Sequence, residues 1–194
     1  GAHYTSEENI LKVISSLFMD DLRAEFEELR RKGRGKARTA ALDTFHEKLA
    51  NLDFLDPACG CGNFLIVAYR ELRLLELDVI EELHAKGQLL DVSTIVRCNV
   101  SQFHGIEIED FPSQIARVAM WLIDHQMNML VSEHYGTHFA RIPLKSVADI
   151  QNANALEVLW PTVDYIFGNP PFIGHQWRTK EQQENLDKVF PKGS

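Results

Sequence analysis

Residues 52–65 read Leu52-Asp53-Phe54-Leu55-Asp56-Pro57-Ala58-Cys59-Gly60-Cys61-Gly62-Asn63-Phe64-Leu65. Leu52 to Asp56 is a short strand that breaks at Pro57 and enters a glycine-containing turn. From Asn63 a long helix is predicted, carrying Phe64, Leu65, Ala68, Leu72, Leu75, Val79, Ile80 and Leu83. The same alternation continues downstream. Gln102 to Ile108 reads as a second strand, and Pro112 fits the first turn of the helix after it. That helix has an apparent core stripe of Ile115, Val118, Ala119, Leu122, Ile123 and Leu130. A third strand is expected within Ser146 to Gln151 and a fourth over Val163 to Phe167, ending at Gly168-Asn169. Upstream, Ser6 to Arg31 reads as one helix with Ile10, Val13, Ile14, Leu17, Phe18, Leu22, Phe26 and Leu29 on a stripe, opened by a Thr5/Glu8 capping box. Thr39 to Ala50 reads as a second, with Leu42, Phe45 and Leu49 inward. Strands alternating with helices predict an α/β fold, a doubly wound sheet with a parallel core and flanking helices. We divide the chain into an N-terminal helical segment, 1–50, and a sheet-bearing domain, 51–194. Ligands of such sheets sit beyond the carboxyl ends of the strands, and each unusual tripeptide here falls at one.

At the first strand end, glycines allow close backbone approach to a ligand, and Asp56 offers a carboxylate to a cationic amine. The turn is neither the Gly-x-Gly-x-x-Gly fingerprint nor a P-loop. Cys59-x-Cys61 has no second ligand pair at matching spacing, so no metal site is expected, and small residues filling a crowded turn account for the thiols. At the second end, an acidic residue after the strand suits the two hydroxyls of a ribose. Glu107 is the candidate, since Ile106 and Ile108 are expected to be buried on either side of it, with Glu109 falling in the following loop. Helix N-terminal charge is the alternative reading of an acidic residue here. The third end is Phe167-Gly168-Asn169-Pro170-Pro171-Phe172. Two prolines stiffen the loop and remove N–H donors, Asn169 adds a carbonyl acceptor, and Phe172 an aromatic face. Such a loop holds an amino group by two acceptors while stacking its ring, which suits methyl transfer to an exocyclic amine. A merely rigid proline turn is the competing reading.

The formal net charge is −8, which is unfavourable for a surface that grips nucleic-acid phosphates. The one basic cluster, Arg30 to Arg38, reads as a solvated loop between two helices or as a phosphate-facing loop. No apolar run approaches the roughly 20 residues of a membrane span, no signal-peptide pattern opens the chain, and three cysteines without framework spacing read as reduced thiols. A cytoplasmic protein without membrane contact is expected.

With these motifs in order, the sequence resembles the S-adenosylmethionine-dependent amino-methyltransferases, in particular the N(6)-adenine DNA methyltransferases of gamma motif order and, within them, the MmeI-like restriction–modification enzymes. His3-Tyr4-Thr5-Ser6 looks like motif X, Asp56 to Phe64 like motif I, Gly105 to Glu109 like motif II, Ala153-Asn154-Ala155-Leu156 like motif III and Asn169 to Phe172 like motif IV. The resemblance implies a Rossmann-like class I methyltransferase fold and S-adenosylmethionine as cofactor. It implies that Thr5 contacts the methionine carboxylate, although capping competes for its hydroxyl, and that Asp56, Ala58, Gly60 and Gly62 line the methionine portion. Glu107 would bind the ribose, Ile108 would pack on the adenine ring and Asn154 would take the adenine amino group, with Asp149 a less suitable alternative. The catalytic loop is Asn169, Pro170, Pro171 and Phe172, acting on an adenine flipped out of double-stranded DNA. Two departures stand out. Glu71 to Val100 looks like an insertion between motifs I and II, and only a helix follows motif IV. The resemblance therefore implies an incomplete sheet, a target-recognition domain further along a longer protein, and a catalytic fragment inactive alone. Two other readings remain: a protein glutamine or RNA guanine methyltransferase, which share an Asn-Pro-Pro-aromatic loop, and a non-catalytic methyltransferase-like module.

Overall fold

The computed structural model describes residues 5–84, 95–135, 148–171 and 178–189. The chain opens with α1 (Glu7–Ile14) and α2 (Asp20–Arg31), joined without a break by a π-helical turn, Ser15–Met19, and followed by α3 (Lys36–Ala50). Next come β1 (Phe54–Asp56), α4 (Asn63–Leu83), a 3-10 turn (Val100–Gln102) and β2 (Phe103–Glu107), then α5 (Asp110–Tyr135), β3 (Asp149–Asn152), β4 (Tyr165–Ile166) and α6 (Lys180–Val189). The four strands lie in the order β3-β2-β1-β4, every pair parallel. This is the α/β arrangement expected, with β1 and its glycine turn at the centre.

The residues of β1 explain its place. Phe54, Leu55 and Asp56 are all buried, the pattern of a parallel strand covered on both faces. The Phe54 ring stacks on Phe103 of β2 at 4.6 Å between centroids and on Tyr165 of β4 at 5.7 Å. Phe18, from the π-helical turn, packs on Phe54 at 5.1 Å and Tyr165 at 5.0 Å. One hydrophobic core therefore runs from the N-terminal helices into the sheet, crossing residue 50.

Three local expectations need correction. The N-cap of α1 is Ser6, without a side-chain cap bond, so Thr5 builds no capping box and its hydroxyl is used elsewhere. The buried face of the first two helices follows Ile10, Ile14, Phe18, Leu22 and Phe26, whereas Val13 and Leu17 are 42% and 40% exposed. Steps of four, with a π turn in the middle, carry the face past the positions that an ideal helix would bury. In α5 the expected stripe is largely the wrong side. Ala116, Met120, Ile123 and Met127 are buried, while Ile115, Val118, Leu122 and Leu130 are exposed.

Of the stretch Glu71 to Val100 that looks like an insertion, Glu71 to Leu83 continues α4, and residues 85–94 lie outside the described residues. The polar residues of α4 hold three helices together. Arg73, fully buried, donates to the Tyr69 hydroxyl at 2.6 Å and to Asn128 Oδ1 at 3.0 Å, and lies 3.2 Å from Asp124 Oδ1 of α5. Its Nε lies 3.0 Å from Glu76 Oε2. Glu76 Oε1 accepts from His46 Nε2 of α3 at 2.9 Å and from the backbone N–H groups of Arg97 and Cys98 at 2.6 and 2.8 Å. Burial would raise the Glu76 carboxyl, but His46, Arg73 and the Cys98 N–H outweigh it and hold the group below its ordinary range. The basic cluster is also partly consumed internally, because Arg30 and Arg38 both pair with Glu82 of α4.

Removing one partner of a buried ion pair leaves the other uncompensated, at a cost of about 3–5 kcal/mol. Glu76→Ala is expected to lower unfolding free energy by about that amount in urea titration. A loss below ~1 kcal/mol would mean that the network adds little to the docking of α3, α4 and α5.

Candidate functional site

Parallel pairing brings the carboxyl ends of β1, β2, β3 and β4 to one edge of the sheet. The loop after β1 is shaped by two glycines in left-handed conformations, Gly60 at φ +53° and Gly62 at φ +88°. A Cβ on Gly62 would lie 3.2 Å from the Ala116 Cβ and 3.3 Å from its Cα, so glycine lets α4 begin against α5. Gly60 has a different character. A Cβ there would meet nothing within 4 Å, so it faces open space at the sheet edge. Cys59 turns inward, where its Sγ would lie 2.9 Å from a Cβ on Gly105. Burial first, then Asp56 and Glu107, pushes that thiol up to about 12, which suits packing rather than reaction.

Asp56 ends β1 with 1% exposure. Its Oδ1 accepts from the Ala58 N–H at 3.0 Å. Among the described residues, no lysine, arginine or histidine forms an ion pair with it. Burial raises the carboxyl to about 7, the Ala58 N–H opposing this and Glu107 adding to it. Glu107, at the end of β2, is half-buried and held at both oxygens: Oε2 accepts from the Gly60 N–H at 2.8 Å and Oε1 from the Glu109 N–H at 2.9 Å. Each carboxylate oxygen has a further lone pair to offer. Ile108 departs from the expected alternation. The strand stops at Glu107, and Ile108 lies beyond the pleat with 63% exposure.

The end of β3 joins the same edge. Ala153 donates its N–H to the Glu107 carbonyl at 3.0 Å, and Asn154 opens a turn in which its Oδ1 accepts from the Leu156 N–H at 3.1 Å. Asp149 sits at the other end of β3, paired with His104 Nδ1 at 3.3 Å, away from these groups. Asn152 belongs to none of the sequence motifs. Its Nδ2 donates to the carbonyls of Glu107 and Ile108, each at 3.0 Å, and thereby fixes the course of the chain leaving β2.

After β4, Gly168 has φ +149°, and a Cβ there would overlap the Asp56 carboxylate, 2.9 Å from its Cγ. The first and fourth strand ends are thus in direct apposition, through a glycine whose only sequence signal is its position before Asn169. Asn169, Pro170 and Pro171 are exposed. Asn169 Nδ2 donates to Thr5 Oγ1 at 2.9 Å, so the N-terminal segment reaches this edge across 164 positions of sequence. Phe172, and His3 and Tyr4 of the N-terminal motif, lie outside the described residues.

Thr5, Asp56, Ala58, Gly60, Glu107, Asn154 and Asn169 therefore converge on one edge, with Gly62 beneath. The edge offers the half-buried Glu107 carboxylate, exposed amide and carbonyl acceptors and an open approach over Gly60, with the buried Asp56 carboxyl directly behind Gly168. It is suited to a ligand bearing both a cation and hydroxyl donors.

The comparisons with known proteins agree with this architecture. Residues 30–194 match the family described as MmeI, DNA-methyltransferase domain. DNA methyltransferase A of Bacillus subtilis (strain 168) is 38% identical over 202 aligned residues, covering 99% of this chain and 22% of that protein. A putative type II restriction enzyme and methyltransferase of Methanocaldococcus jannaschii is 30% identical over 81 residues, 42% of this chain and 7% of its own length. The solved structure of the type IIL restriction–modification enzyme MmeI in complex with DNA superposes with a TM-score of 0.90 at 52% identity, covering 98% of this chain and 26% of that one. The chain thus spans about a quarter of the length of these two long relatives. On the family match, and on a Rossmann-like fold shared at this level of identity, the chain belongs to the MmeI DNA-methyltransferase domain family.

Proposed function

We propose that the protein containing this domain is a site-specific adenine DNA methyltransferase of a restriction–modification system, using S-adenosylmethionine. The observation that carries the reading is the apposition of the buried Asp56, to which no described residue supplies a cation, with the Gly168-Asn169-Pro170-Pro171 loop, because a cationic methyl donor beside a set of amine acceptors would need such a pairing. Membership of a DNA-methyltransferase family supports a methyl donor and a DNA substrate.

The residues fit that cofactor. Asp56 would face the methionine ammonium, gaining the counter-charge that its burial otherwise denies it. Ala58, Gly60 and Gly62 would line the methionine portion, with the missing Cβ of Gly60 leaving room. Glu107, oriented by two backbone N–H groups, would accept from the ribose hydroxyls. The exposed Ile108 would cover the adenine ring and Asn154 would meet its amino group. When bound, the cofactor supplies an electrophilic methyl group on a sulfonium centre.

At the acceptor side, the Thr5 hydroxyl oxygen accepts a hydrogen bond from the Asn169 Nδ2–H, which leaves Asn169 Oδ1 to accept from a substrate amino group. The same hydroxyl retains a proton to donate, so Thr5 can serve a cofactor carboxylate while orienting Asn169. The Pro170 carbonyl would be the second acceptor, Pro171 would stiffen the loop, and Phe172 would stack on the flipped base. Two acceptors on one amino group direct its lone pair towards the methyl carbon, and no strong base is needed. Phosphate contacts in this acidic chain would come largely from the rest of the longer protein.

Single-molecule modification mapping of DNA from a host expressing the full-length gene is expected to find N(6)-methyladenine at one sequence motif. Methylated protein or RNA in its place would overturn the DNA reading. Asn169→Ala should lower the methylation rate about 10²–10³-fold, the scale for losing one well-placed polar contact to a transition state, while binding of S-adenosylhomocysteine changes less than about threefold.

Binding should also follow the ionisation of Asp56. With its carboxyl at about 7 in the free protein, the charged form is a minority at pH 6, so affinity for S-adenosylhomocysteine should rise roughly tenfold from pH 6 to pH 8 by linkage. Asp56→Asn should weaken binding and flatten this profile, as titration calorimetry across pH would report. The stability of the cofactor-free protein runs the opposite way. A carboxyl raised by folding contributes stability that is full below its ordinary value of 3.8 and is lost as pH rises through about 7. Wild-type Tm should therefore fall between pH 5 and 8 relative to that of Asp56→Asn.

A further inference from the structure

One side of the 26-residue helix α5 packs on α4 and the sheet. The opposite side carries a second apolar stripe that nothing among the described residues covers. Phe111, Ile115, Val118, Leu122, His125 and Met129 succeed one another at alternating steps of four and three, the spacing of a heptad seam. The five apolar members are 36% to 73% exposed. Trp121 and Leu130 widen the stripe, and the Trp121 ring stacks on His125 at 5.9 Å. From Phe111 to Leu130 no exposed residue is Asp, Glu, Lys or Arg, in a chain where such residues make up 25%. A helix face that stays in water carries charge, and a contiguous apolar strip on a domain marks a contact surface.

We propose that this face of α5 is an interdomain seam that receives an amphipathic helix of the same polypeptide, from outside these 194 residues. The heptad spacing selects a helix, aligned within about 20° of α5, over a strand or loop. The lack of exposed charge between Phe111 and Leu130 selects a partner with its own apolar stripe over a basic or acidic one. Size selects a tethered occupant. The stripe is roughly 30 Å long at 1.5 Å per residue and one helix wide, well short of the ~800 Å² per partner typical of a free-standing interface. Covalent connection replaces area with effective concentration. Relatives with three-quarters of their length beyond the matched region have ample chain to supply it. The proposal does not depend on the reading of the methyl-transfer site.

The test uses the full-length gene product with the photoreactive benzoylphenylalanine at position 118, and at Glu28, exposed on α2, as a control. After irradiation, position 118 is expected to link to a peptide outside residues 1–194 in a band of monomer mobility, and position 28 to give far less. A product of dimer mass would overturn the proposal in favour of a second copy, and an unlinked, solvent-quenched probe would overturn it in favour of a free surface. In parallel, Leu122→Glu in the full-length protein should lower Tm by several degrees and open a new protease-sensitive site. A Tm within a degree of wild type would count against the seam. DNA methylation by the unsubstituted protein, measured in the same preparation, keeps this outcome separate from that of the function proposed above.

Discussion

Everything at the working edge depends on β1 being paired in parallel on both sides at once. Only Phe54 to Asp56 form the strand, yet Phe54 is in register with both Phe103 and Tyr165, and Leu55 with both His104 and Ile166. Parallel pairing is what sends the ends of β1, β2 and β4 to the same side, so that the glycine turn, Glu107 and the Gly168-Asn169 loop become neighbours. The aromatic contacts of Phe54 hold that centre, and Phe18 ties the N-terminal helices to the same point. The route by which Thr5 reaches Asn169 begins there.

The edge so formed is electrostatically unfinished. Among the described residues, the Ala58 N–H donates to the buried Asp56 and none pairs a cation with it, while Glu107 adds charge of the same sign nearby. In the helices behind it, the opposite solution is found. Arg73, Glu76, His46 and Asp124 are also deeply buried, but each has a polar partner. The contrast follows from what each region does. A network that docks three helices is completed by the chain itself, whereas no described residue supplies a cation to the buried Asp56 carboxyl, which marks it as a candidate ligand site.

α5 links the two regions and faces both ways. Its inner side holds Gly62 through Ala116 and the buried network through Asp124 and Asn128. Its outer side repeats an apolar period with no exposed Asp, Glu, Lys or Arg from Phe111 to Leu130. A helix apolar on two sides belongs between two layers, and these residues supply one of them.

Much of the candidate site is legible from local chemistry alone. The Asp56 turn, the acidic end of β2 and the Asn-Pro-Pro loop are short, and each declares its backbone constraint and its polar groups in a few consecutive residues. The alternation of strands and helices then placed all three at one edge. Distance relations were not legible. The Thr5–Asn169 bond joins residues 164 positions apart, Gly168 shows its purpose only when Asp56 lies against it, and Asn152 matters because two carbonyls of β2 pass by it. Alternation in sequence predicts a buried Ile108, but the pleat stops in space at Glu107 and leaves it exposed. The misread face of α5 has the same origin. Periodicity records that a surface is apolar, but which of two apolar faces meets this core is decided by packing against α4 and by the volume of the side chains already there. The sequence by itself determined the kinds of element, their order and the chemistry offered at each strand end. Only the tertiary structure decided which groups meet, because contacts between distant residues depend on register and packing, which no local pattern encodes.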